Sequence, residues 1–194
     1  VYVADTWNHR IQKFTAEGEF IAMWATFGGT ETMYGLWGPR SIAIDGKNQL
    51  YVTDTGNKRI VVYDTDGNAL GEFGSVGFDP GQFDEPVGLA VDAEGILYVA
   101  DTWNRRIQTL FFETEFKLAT PLNMWDVFGW YGESLENKLY IAVGPEGNIF
   151  ITDPEGYRVI QFDAEGNYVR NWGTYSPGQD GFGLPGGIAV DANG

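Results

Sequence analysis

The fold of this chain is decided by a stretch of eleven residues that occurs four times. The clearest copy reads Leu97-Tyr-Val-Ala-Asp-Thr-Trp-Asn-Arg-Arg-Ile107. The other copies begin at Val1, Leu50 and Ile149, and all four align without gaps. Their aspartates are 49, 47 and 52 residues apart: Asp5, Asp54, Asp101 and Asp153. Because the period is this regular, the sequence predicts a repeat architecture in which each copy builds one structural unit.

A second, shorter motif recurs with nearly the same spacing as the first. It reads Ser41-Ile-Ala-Ile-Asp45 in one unit and recurs at 88–92, 140–144 and 187–191. Its alanines are 47, 52 and 47 residues apart: Ala43, Ala90, Ala142 and Ala189. The segment is apolar on both faces, which indicates a strand that is packed between two neighbouring sheets. We expect it to be the innermost strand of each unit.

Each period contains four short strands that are separated by tight turns. The innermost strand is followed by the Leu-Tyr-Val-Ala-Asp strand, by a strand that begins at the recurring arginine, and by a fourth strand such as Phe20–Trp24. Four antiparallel strands in about 45–50 residues are typical of a β-propeller blade. The predicted fold class is therefore all-β. The repeat units fall at approximately 1–38, 39–85, 86–137 and 138–184, with the start of a further blade at 185–194.

The pattern Tyr-Val-Ala-Asp-Thr-x-Asn-x-Arg-Ile, with a preceding Pro-x-Gly-Ile-Ala-Val-Asp, resembles the NHL-repeat β-propeller family over almost the whole chain. Propellers of that family usually close with six blades, so the resemblance implies that the four units form an arc of a six-bladed ring. A small closed ring of four units is the alternative. The chain begins at Val1 rather than at an initiator methionine, and we expect it to be part of a larger protein.

One region carries a more specific resemblance. The stretch Val127-Phe-Gly-Trp-Tyr-Gly-Glu-Ser-Leu-Glu-Asn-Lys-Leu-Tyr140 is followed by Thr152-Asp-Pro-Glu-Gly-Tyr-Arg-Val159. Together they resemble propellers that are appended to bacterial multi-pass membrane proteins of glycosyltransferase type. The resemblance implies an extracytoplasmic location, which is periplasmic, cell-surface or secreted, with tethering by a membrane domain outside this segment.

The composition disfavours several classes of function. The chain has 27 Asp and Glu against 12 Lys and Arg, a formal charge of −15 and a pI near 4.2. Nucleic acids and anionic membrane surfaces both attract basic proteins, so neither is an expected partner. There is no cysteine to form a disulfide or to bind zinc. No apolar run approaches the roughly 18 residues of a membrane-spanning helix, so we expect no direct membrane insertion.

Each copy of the repeat pairs its aspartate with an arginine five residues later. A residue needed for catalysis need not recur in every unit, whereas a residue that fixes a loop must. We therefore interpret the pairs as structural. The aspartate is expected to accept backbone N–H groups in the loop between the second and third strands, and the arginine to bridge locally. The pairs are Asp5 and Arg10, Asp54 and Arg59, Asp101 and Arg106, and Asp153 and Arg158.

The long connections between units are rich in glycine and aromatic residues, and in a propeller they share one face with the Asp-Thr-Trp-Asn loops. Acidic residues such as Asp84 and Glu85 lie nearby in the sequence, and aromatic planes edged by acidic and amide groups suit carbohydrates, cationic groups or a protein partner. The sequence thus favours a non-catalytic interaction module whose loop face binds a glycan or a protein. Phe83 and Phe182 are expected instead to fill gaps between blades. The candidate ligand-binding residues are Trp7, His9, Trp37, Trp103, Trp130, Tyr131 and Tyr175.

The alternative is an enzyme, a propeller lyase or hydrolase with a divalent metal at the central axis. Such a site needs carboxylates, asparagines or histidines at the mouths of several inner strands. The mouth positions read instead Arg40, Val87, Lys138 and Gly186, and His9, the only histidine, is interpreted as an exposed loop residue. We expect no metal site, no cofactor and no catalytic residue in this chain, with the enzyme alternative left open.

Overall fold

The computed structural model describes residues 1–115, 117–127, 138–179 and 181–191. Its first sheet has three antiparallel strands, β1 (Tyr2–Asp5), β2 (Arg10–Phe14) and β3 (Phe20–Trp24). A parallel two-stranded ribbon follows, formed by β4 (Thr26–Phe27) and β5 (Gly35–Leu36). This ribbon belongs to the connection between the first and second units.

The next three sheets each have four antiparallel strands in sequence order. The second sheet contains β6 (Pro39–Ile44), β7 (Leu50–Asp54), β8 (Arg59–Tyr63) and β9 (Ala69–Phe73). The third contains β10 (Pro86–Val91), β11 (Ile96–Asp101), β12 (Arg106–Glu113) and β13 (Leu118–Asp126). The fourth contains β14 (Tyr140–Val143), β15 (Ile149–Asp153), β16 (Arg158–Phe162) and β17 (Tyr168–Trp172). A second parallel ribbon follows the fourth sheet and is formed by β18 (Thr174–Tyr175) and β19 (Gly181–Phe182).

The predicted all-β propeller fold is confirmed by these sheets. The first sheet has three strands because the sequence starts at the strand equivalent to β7. The third unit departs from the common pattern, since β12 and β13 extend over eight and nine residues where the other units place a tight Asp/Glu-Gly turn. The start of a further blade at 185–194 stays a prediction, and the described residues 183–191 form no strand.

The hydrophobic core consists of layers between neighbouring sheets. Side chains alternate across a strand, and β7 and β8 are buried on both faces. Leu50 and Val52 therefore pack towards the first sheet, in a cluster with Ile11 and Leu36. Their neighbour Tyr51 faces the third sheet.

The cluster between the second and third sheets contains one residue that comes from a connection rather than from a sheet. Phe83 is fully buried there and packs with Leu89, Leu97 and Leu110. This confirms the prediction that Phe83 fills a gap between blades. Phe182, at the equivalent place after the fourth sheet, is only partly buried.

The innermost strand of the second sheet has an irregularity at its start. The pairing of β6 with β7 shifts register between Pro39 and Ile42, which leaves Arg40 and Ser41 in a bulge. Bulges re-aim side chains at the ends of sheets. Among the helices of the described residues, none is both long enough and apolar enough to cross a membrane.

Candidate functional site

The loop between the second and third strands of each unit has the same construction in the first two units. After Asp54, residues Thr55–Asn57 form a turn of 3-10 helix, and Lys58 adopts a left-handed conformation with φ of 58° before β8 begins at Arg59. The first unit repeats this with Thr6–Asn8 and His9, whose φ is 57°. His9 and Lys58 thus occupy the same structural position in neighbouring units.

Hydroxyl groups in these loops connect each unit to the next. The Thr6 hydroxyl donates to the carbonyl oxygen of Pro39 at 2.8 Å, and the Thr55 hydroxyl donates to that of Pro86 at 2.7 Å. Each acceptor is the first residue of the following innermost strand. The loops are therefore tied to the mouths of the inner strands, where Arg40 lies.

Asp54 and Arg59 form a buried pair in the second unit. The Arg59 Nε donates to Asp54 Oδ2 at 2.8 Å, and the side chains are 2% and 0% exposed respectively. Asp54 also accepts the backbone N–H of Trp37 at 2.7 Å. The backbone donor therefore comes from the connection that precedes the unit and not, as expected, from the loop between the second and third strands. In the fourth unit Asp153 does accept from its own loop, through the N–H of Gly156 at 2.9 Å.

Two further pairs, in the third and fourth units, have the same core geometry. Arg106 Nε donates to Asp101 Oδ2 at 2.8 Å, and Arg158 Nε donates to Asp153 Oδ2 at 2.6 Å. Asp101 is fully buried and, like Asp54, accepts a backbone N–H from the preceding connection. Burial raises the pKa of both Asp54 and Asp101, and the hydrogen bonds that they accept oppose this rise. These contacts are all internal, and the structural role of the pairs stays a prediction.

Trp37 is held tightly against the loop of the second unit. Its N–H bonds to Asp54, and its carbonyl oxygen accepts the N–H of Gly56 at 2.8 Å. Gly56 stands where the other units have Trp7 and Trp103, and a Cβ at this position would lie 2.5 Å from the Trp37 ring. Position 56 therefore requires glycine, because the Trp37 ring lies where the side chain of a loop tryptophan would otherwise be.

Three of the predicted ligand-binding residues come together around one pocket. The pocket has a volume of about 710 Å³, and Trp7, His9 and Trp37 line it. Trp7 is 82% exposed and Trp37 is 53% exposed, so both rings offer an open face. A volume of this size lies within the range of small-molecule sites in proteins.

His9 is not the exposed loop residue that the sequence suggested. It is half-buried, its Nδ1 accepts the N–H of Gly38 at 3.0 Å, and its ring packs on Phe27 with 4.8 Å between centroids. The interblade connection folds back over the loop and covers one side of the imidazole. His9 therefore forms part of the pocket wall.

The opposite wall of the pocket is charged. Lys58 Nζ lies 2.7 Å from Glu85 Oε1, and Lys138 Nζ lies 3.5 Å from Glu85 Oε2. Both ammonium groups also lie over the ring of Trp103, at 5.9 and 5.7 Å from its centroid. Trp103 is thus placed beside the pocket, behind the two lysines that line it, rather than among its lining residues.

Lys138 is the most buried of these cations, with 2% of its side chain exposed. Burial lowers the pKa of Lys138, and the positive charges of Arg40 and Lys58 lower it further, while Glu85 raises it. Arg40 and Lys138 were expected at the mouths of inner strands, but only as poor metal ligands, and Glu85 was expected near the aromatic residues. Lys58 was missed because no local pattern in the sequence links it to Glu85, which lies 27 residues further along the chain.

The remaining candidates lie elsewhere. Tyr175 packs on Tyr157 in the fourth unit, with ring centroids 4.9 Å apart, and does not line this pocket. Trp130 and Tyr131 lie outside the described residues. Among the described residues, no three His, Asp or Glu side chains converge in a group that could hold a metal ion.

Two segments of the chain match the family model described as NHL repeat, at residues 36–63 and 83–110. They contain the Asp54–Arg59 and Asp101–Arg106 pairs and lie in the two central sheets. Together with the four-stranded antiparallel sheets, these two matches are consistent with an arc of an NHL-type β-propeller. No curated protein sequence matches the chain significantly.

Solved propeller structures resemble the chain at low sequence identity. Virginiamycin B lyase from Staphylococcus aureus superposes with a TM-score of 0.65 at 15% identity, over 97% of this chain and 56% of the lyase. A chain of a nidogen/laminin complex gives 0.61 at 18% identity, over 98% of this chain and 67% of its own. A third neighbour is the WD40-repeat structure of RRP9, with 0.62 at 13% identity, over 87% of this chain and 46% of its own.

These neighbours support the fold and no particular activity, because identities this low show the fold alone. The chain spans about half the length of the lyase structures that it matches, at 56% and 54%. The resemblance to propellers appended to glycosyltransferase-type membrane proteins stays a prediction.

Proposed function

We propose that this protein is a non-catalytic binding module that holds a glycan in the pocket lined by Trp7, His9 and Trp37. The propeller fold supports a binding or interaction module in general. The observation that carries the finer proposal is the open pair of tryptophan rings at a concave pocket of about 710 Å³. We further propose an extracytoplasmic location, where glycans of the cell envelope are accessible.

Saccharide rings stack their C–H faces on aromatic planes, and their hydroxyl groups need polar partners at the edges. Trp7 and Trp37 supply two such planes, and Arg40, Lys58 and Glu85 supply charged groups at the pocket's edge. The site is also preformed, because Trp37 is held by Asp54 and packed against Gly56. Preformed aromatic surfaces lose little conformational entropy on binding.

A protein partner is the second candidate for the same face. Exposed aromatic residues are enriched at the energetic centres of protein interfaces. One structural neighbour of the chain was solved in a nidogen/laminin complex, which is an interaction between proteins. The lyase or hydrolase alternative is not better supported, since the lyase neighbour is similar at the level of fold only.

The test is binding of the purified 194-residue protein to an array of oligosaccharides, followed by titration calorimetry on those that bind. Trp7→Ala and Trp37→Ala are each expected to weaken binding about tenfold or more. A nucleobase stacked on an aromatic side chain contributes roughly 1–3 kcal/mol, and we expect a similar contribution from a sugar ring of similar size. Circular dichroism verifies that the variants stay folded.

Trp172→Ala is the matched control. Trp172 is a tryptophan of similar exposure on the outermost strand β17 of the fourth unit, and it does not line the pocket. Its substitution is expected to leave glycan affinity unchanged. Full affinity in both pocket variants would refute the assignment of the site. Capture of a protein partner that Trp7→Ala abolishes, with no glycan bound at all, would favour the second candidate.

A further inference from the structure

The pocket concentrates positive charge in a protein that is otherwise strongly acidic. Three of the twelve Lys and Arg side chains, namely Arg40, Lys58 and Lys138, line it, although the chain as a whole carries a formal charge of −15. Glu85 is the single carboxylate among the described residues that line the pocket. The wall of the pocket is therefore net positive, and charge that is focused in a cleft attracts ions of opposite sign.

The three cations differ in how far they are neutralised. Glu85 contacts both lysines, through Oε1 to Lys58 and Oε2 to Lys138, and Asp84 lies 3.1 Å from Lys58 Nζ. Arg40, in contrast, makes no hydrogen bond or ion pair with any residue in the described ranges 1–115, 117–127, 138–179 and 181–191. Arg40 is half-buried as a residue and lines the pocket, and no carboxylate of the described residues lies within ion-pair distance of its guanidinium.

The positions of these cations are built by the fold. Arg40 lies in the bulge at the start of β6, beside Pro39, whose carbonyl is bound by Thr6. Lys138 is nearly fully buried, and its ammonium group lies over the Trp103 ring. A buried lysine near two further cations costs free energy, which an incoming anion would recover. Burial is the main cause of the lowered pKa of Lys138; Arg40 and Lys58 lower it further, and Glu85 opposes them.

We propose that this pocket recognises the carboxylate of an acidic sugar, with Arg40 as the residue that pairs with it. The inference rests on the proposed function and deepens it from a glycan to a uronic-acid type of glycan. Lys58 and Lys138 contribute the surrounding positive potential, and Trp7 and Trp37 contact the sugar ring.

The net charge of the wall favours a carboxylate over a phosphate monoester, which carries nearly two negative charges at pH 7, whereas a guanidinium alone pairs with either group. A guanidinium presents two parallel N–H groups that match the two oxygens of a planar carboxylate. Glu85 stays in the pocket and already neutralises part of the lysine charge, so that a monoanion is matched better than a dianion. The matched ligand is a sugar ring with one carboxylate.

The experiment compares oligouronates with their carboxyl-reduced counterparts, which differ only in the replacement of each carboxylate by a hydroxymethyl group. The intact protein is titrated with both members of each pair at low salt and again at about 0.5 M salt. We expect a preference of roughly tenfold or more for the acidic member at low salt, because hydrogen bonds to charged groups are stronger than those between neutral groups. That preference should shrink at high salt, whereas binding of the neutral member should hold.

Arg40→Met removes the charge and keeps most of the side-chain volume, and it is expected to reduce the preference to within about twofold. Arg40→Lys should restore part of the preference. Lys47→Met is the matched control, because it removes one exposed cation from the turn between β6 and β7 at the other end of the sheet. It should leave the preference unchanged.

The outcomes separate this inference from the proposed function. Equal affinity for both members of every pair, or an unchanged preference in Arg40→Met, would overturn the carboxylate assignment and leave glycan binding intact. Competition by inorganic phosphate as strong as that by a simple uronate would show a general anion site and also overturn the assignment. Absence of binding by every saccharide would refute the proposed function itself.

Discussion

The first and second units carry the same Asp-x-x-x-x-Arg motif in different surroundings. Arg59 and Asp54 are 2% and 0% exposed, whereas Arg10 and Asp5 are 33% and 20% exposed. Both pairs have the same register and the same 2.8 Å distance between arginine Nε and aspartate Oδ2. The motif alone therefore accounts for the ion pair between aspartate and arginine. The burial of the Asp54–Arg59 pair has another cause.

That cause is the connection that leads into the unit. The ribbon of β4 and β5 lies over the second unit, and Arg59 Nη2 donates to the carbonyl oxygens of Thr32 at 3.0 Å and Gly35 at 2.7 Å. Asn57 donates to Gly28 in the same connection at 2.9 Å. In the first unit, Arg10 Nη1 contacts only the sulfur of Met23. Each unit is thus completed by the connection from its predecessor, which makes neighbouring units interdependent.

Substitution of the two arginines should give the largest difference between the units. Arg59→Met leaves a buried carboxylate and several buried carbonyls without their donor, and we expect a loss of about 3–5 kcal/mol in the free energy of unfolding. Arg10→Met removes a partly exposed pair, and its effect should stay within about 1 kcal/mol. Urea unfolding followed by circular dichroism measures both.

The two variants are matched, because each removes one arginine from the same position of the repeat. Equal losses would show that the connection between units adds nothing to the pair. A loss in Arg10→Met as large as that expected for Arg59→Met would contradict the comparison altogether.

The phenylalanines of the connections extend the comparison to packing. Phe83 and Phe182 occupy equivalent places, and the ring of each packs over a glycine with positive φ, Gly74 and Gly173. Phe83 is fully buried between two sheets, and its replacement by alanine should cost about 3 kcal/mol. The same substitution at the partly exposed Phe182 should lower the free energy of unfolding by about half as much, because Phe182 buries less apolar area on folding.

Thermal or urea unfolding of the two alanine variants measures this difference, and Phe83→Leu serves as the control that keeps most of the apolar volume. A smaller loss for Phe83→Ala than for Phe182→Ala would show that the interblade clusters do not set stability.

The fold was predictable because its determinants are repeated in the sequence. The Asp54–Arg59 spacing and the apolar segments such as Ser41–Asp45 placed the strands, and the sheets follow them. The acceptors of Arg59 were not predictable, because they are backbone carbonyls some 24 to 30 residues earlier, and a carbonyl has no side-chain signature.

The candidate site was predictable in part, for a related reason. Trp7 and Trp37 were recognised as aromatic residues of one face, and they line one pocket. The charged wall combines Lys58 and Glu85 of the second unit with Lys138 of the fourth, and no local pattern joins them. Arg40 and Lys138 were visible at the strand mouths, and the signal that could have identified the wall was their shared charge.

The smallest expected effect is a difference in the pKa values of the two aspartates. The hydrogen bond from Arg10 lowers the pKa of Asp5 below its ordinary value of 3.8, and Asn8 and Gln12 add to this. Burial raises the pKa of Asp54 above the same value. Carbon-13 NMR titration of the side-chain carboxyls should therefore show Asp54 taking up its proton at a higher pH than Asp5.

The two shifts have opposite consequences for stability. Asp5 binds its proton more weakly in the folded state, so its contribution is present above pH 3.8 and is lost as the pH falls through the folded pKa. Asp54 binds its proton more tightly in the folded state, so its contribution is present below pH 3.8 and is lost as the pH rises through the folded pKa. Arg10→Met should raise the pKa of Asp5 and leave that of Asp54 in place. If both carboxyls titrated with pKa values below 3.8, the hydrogen bonds from Trp37, Asn57 and Arg59 would outweigh the effect of burial on the pKa of Asp54. The connection between units would then stabilise the charged form of Asp54.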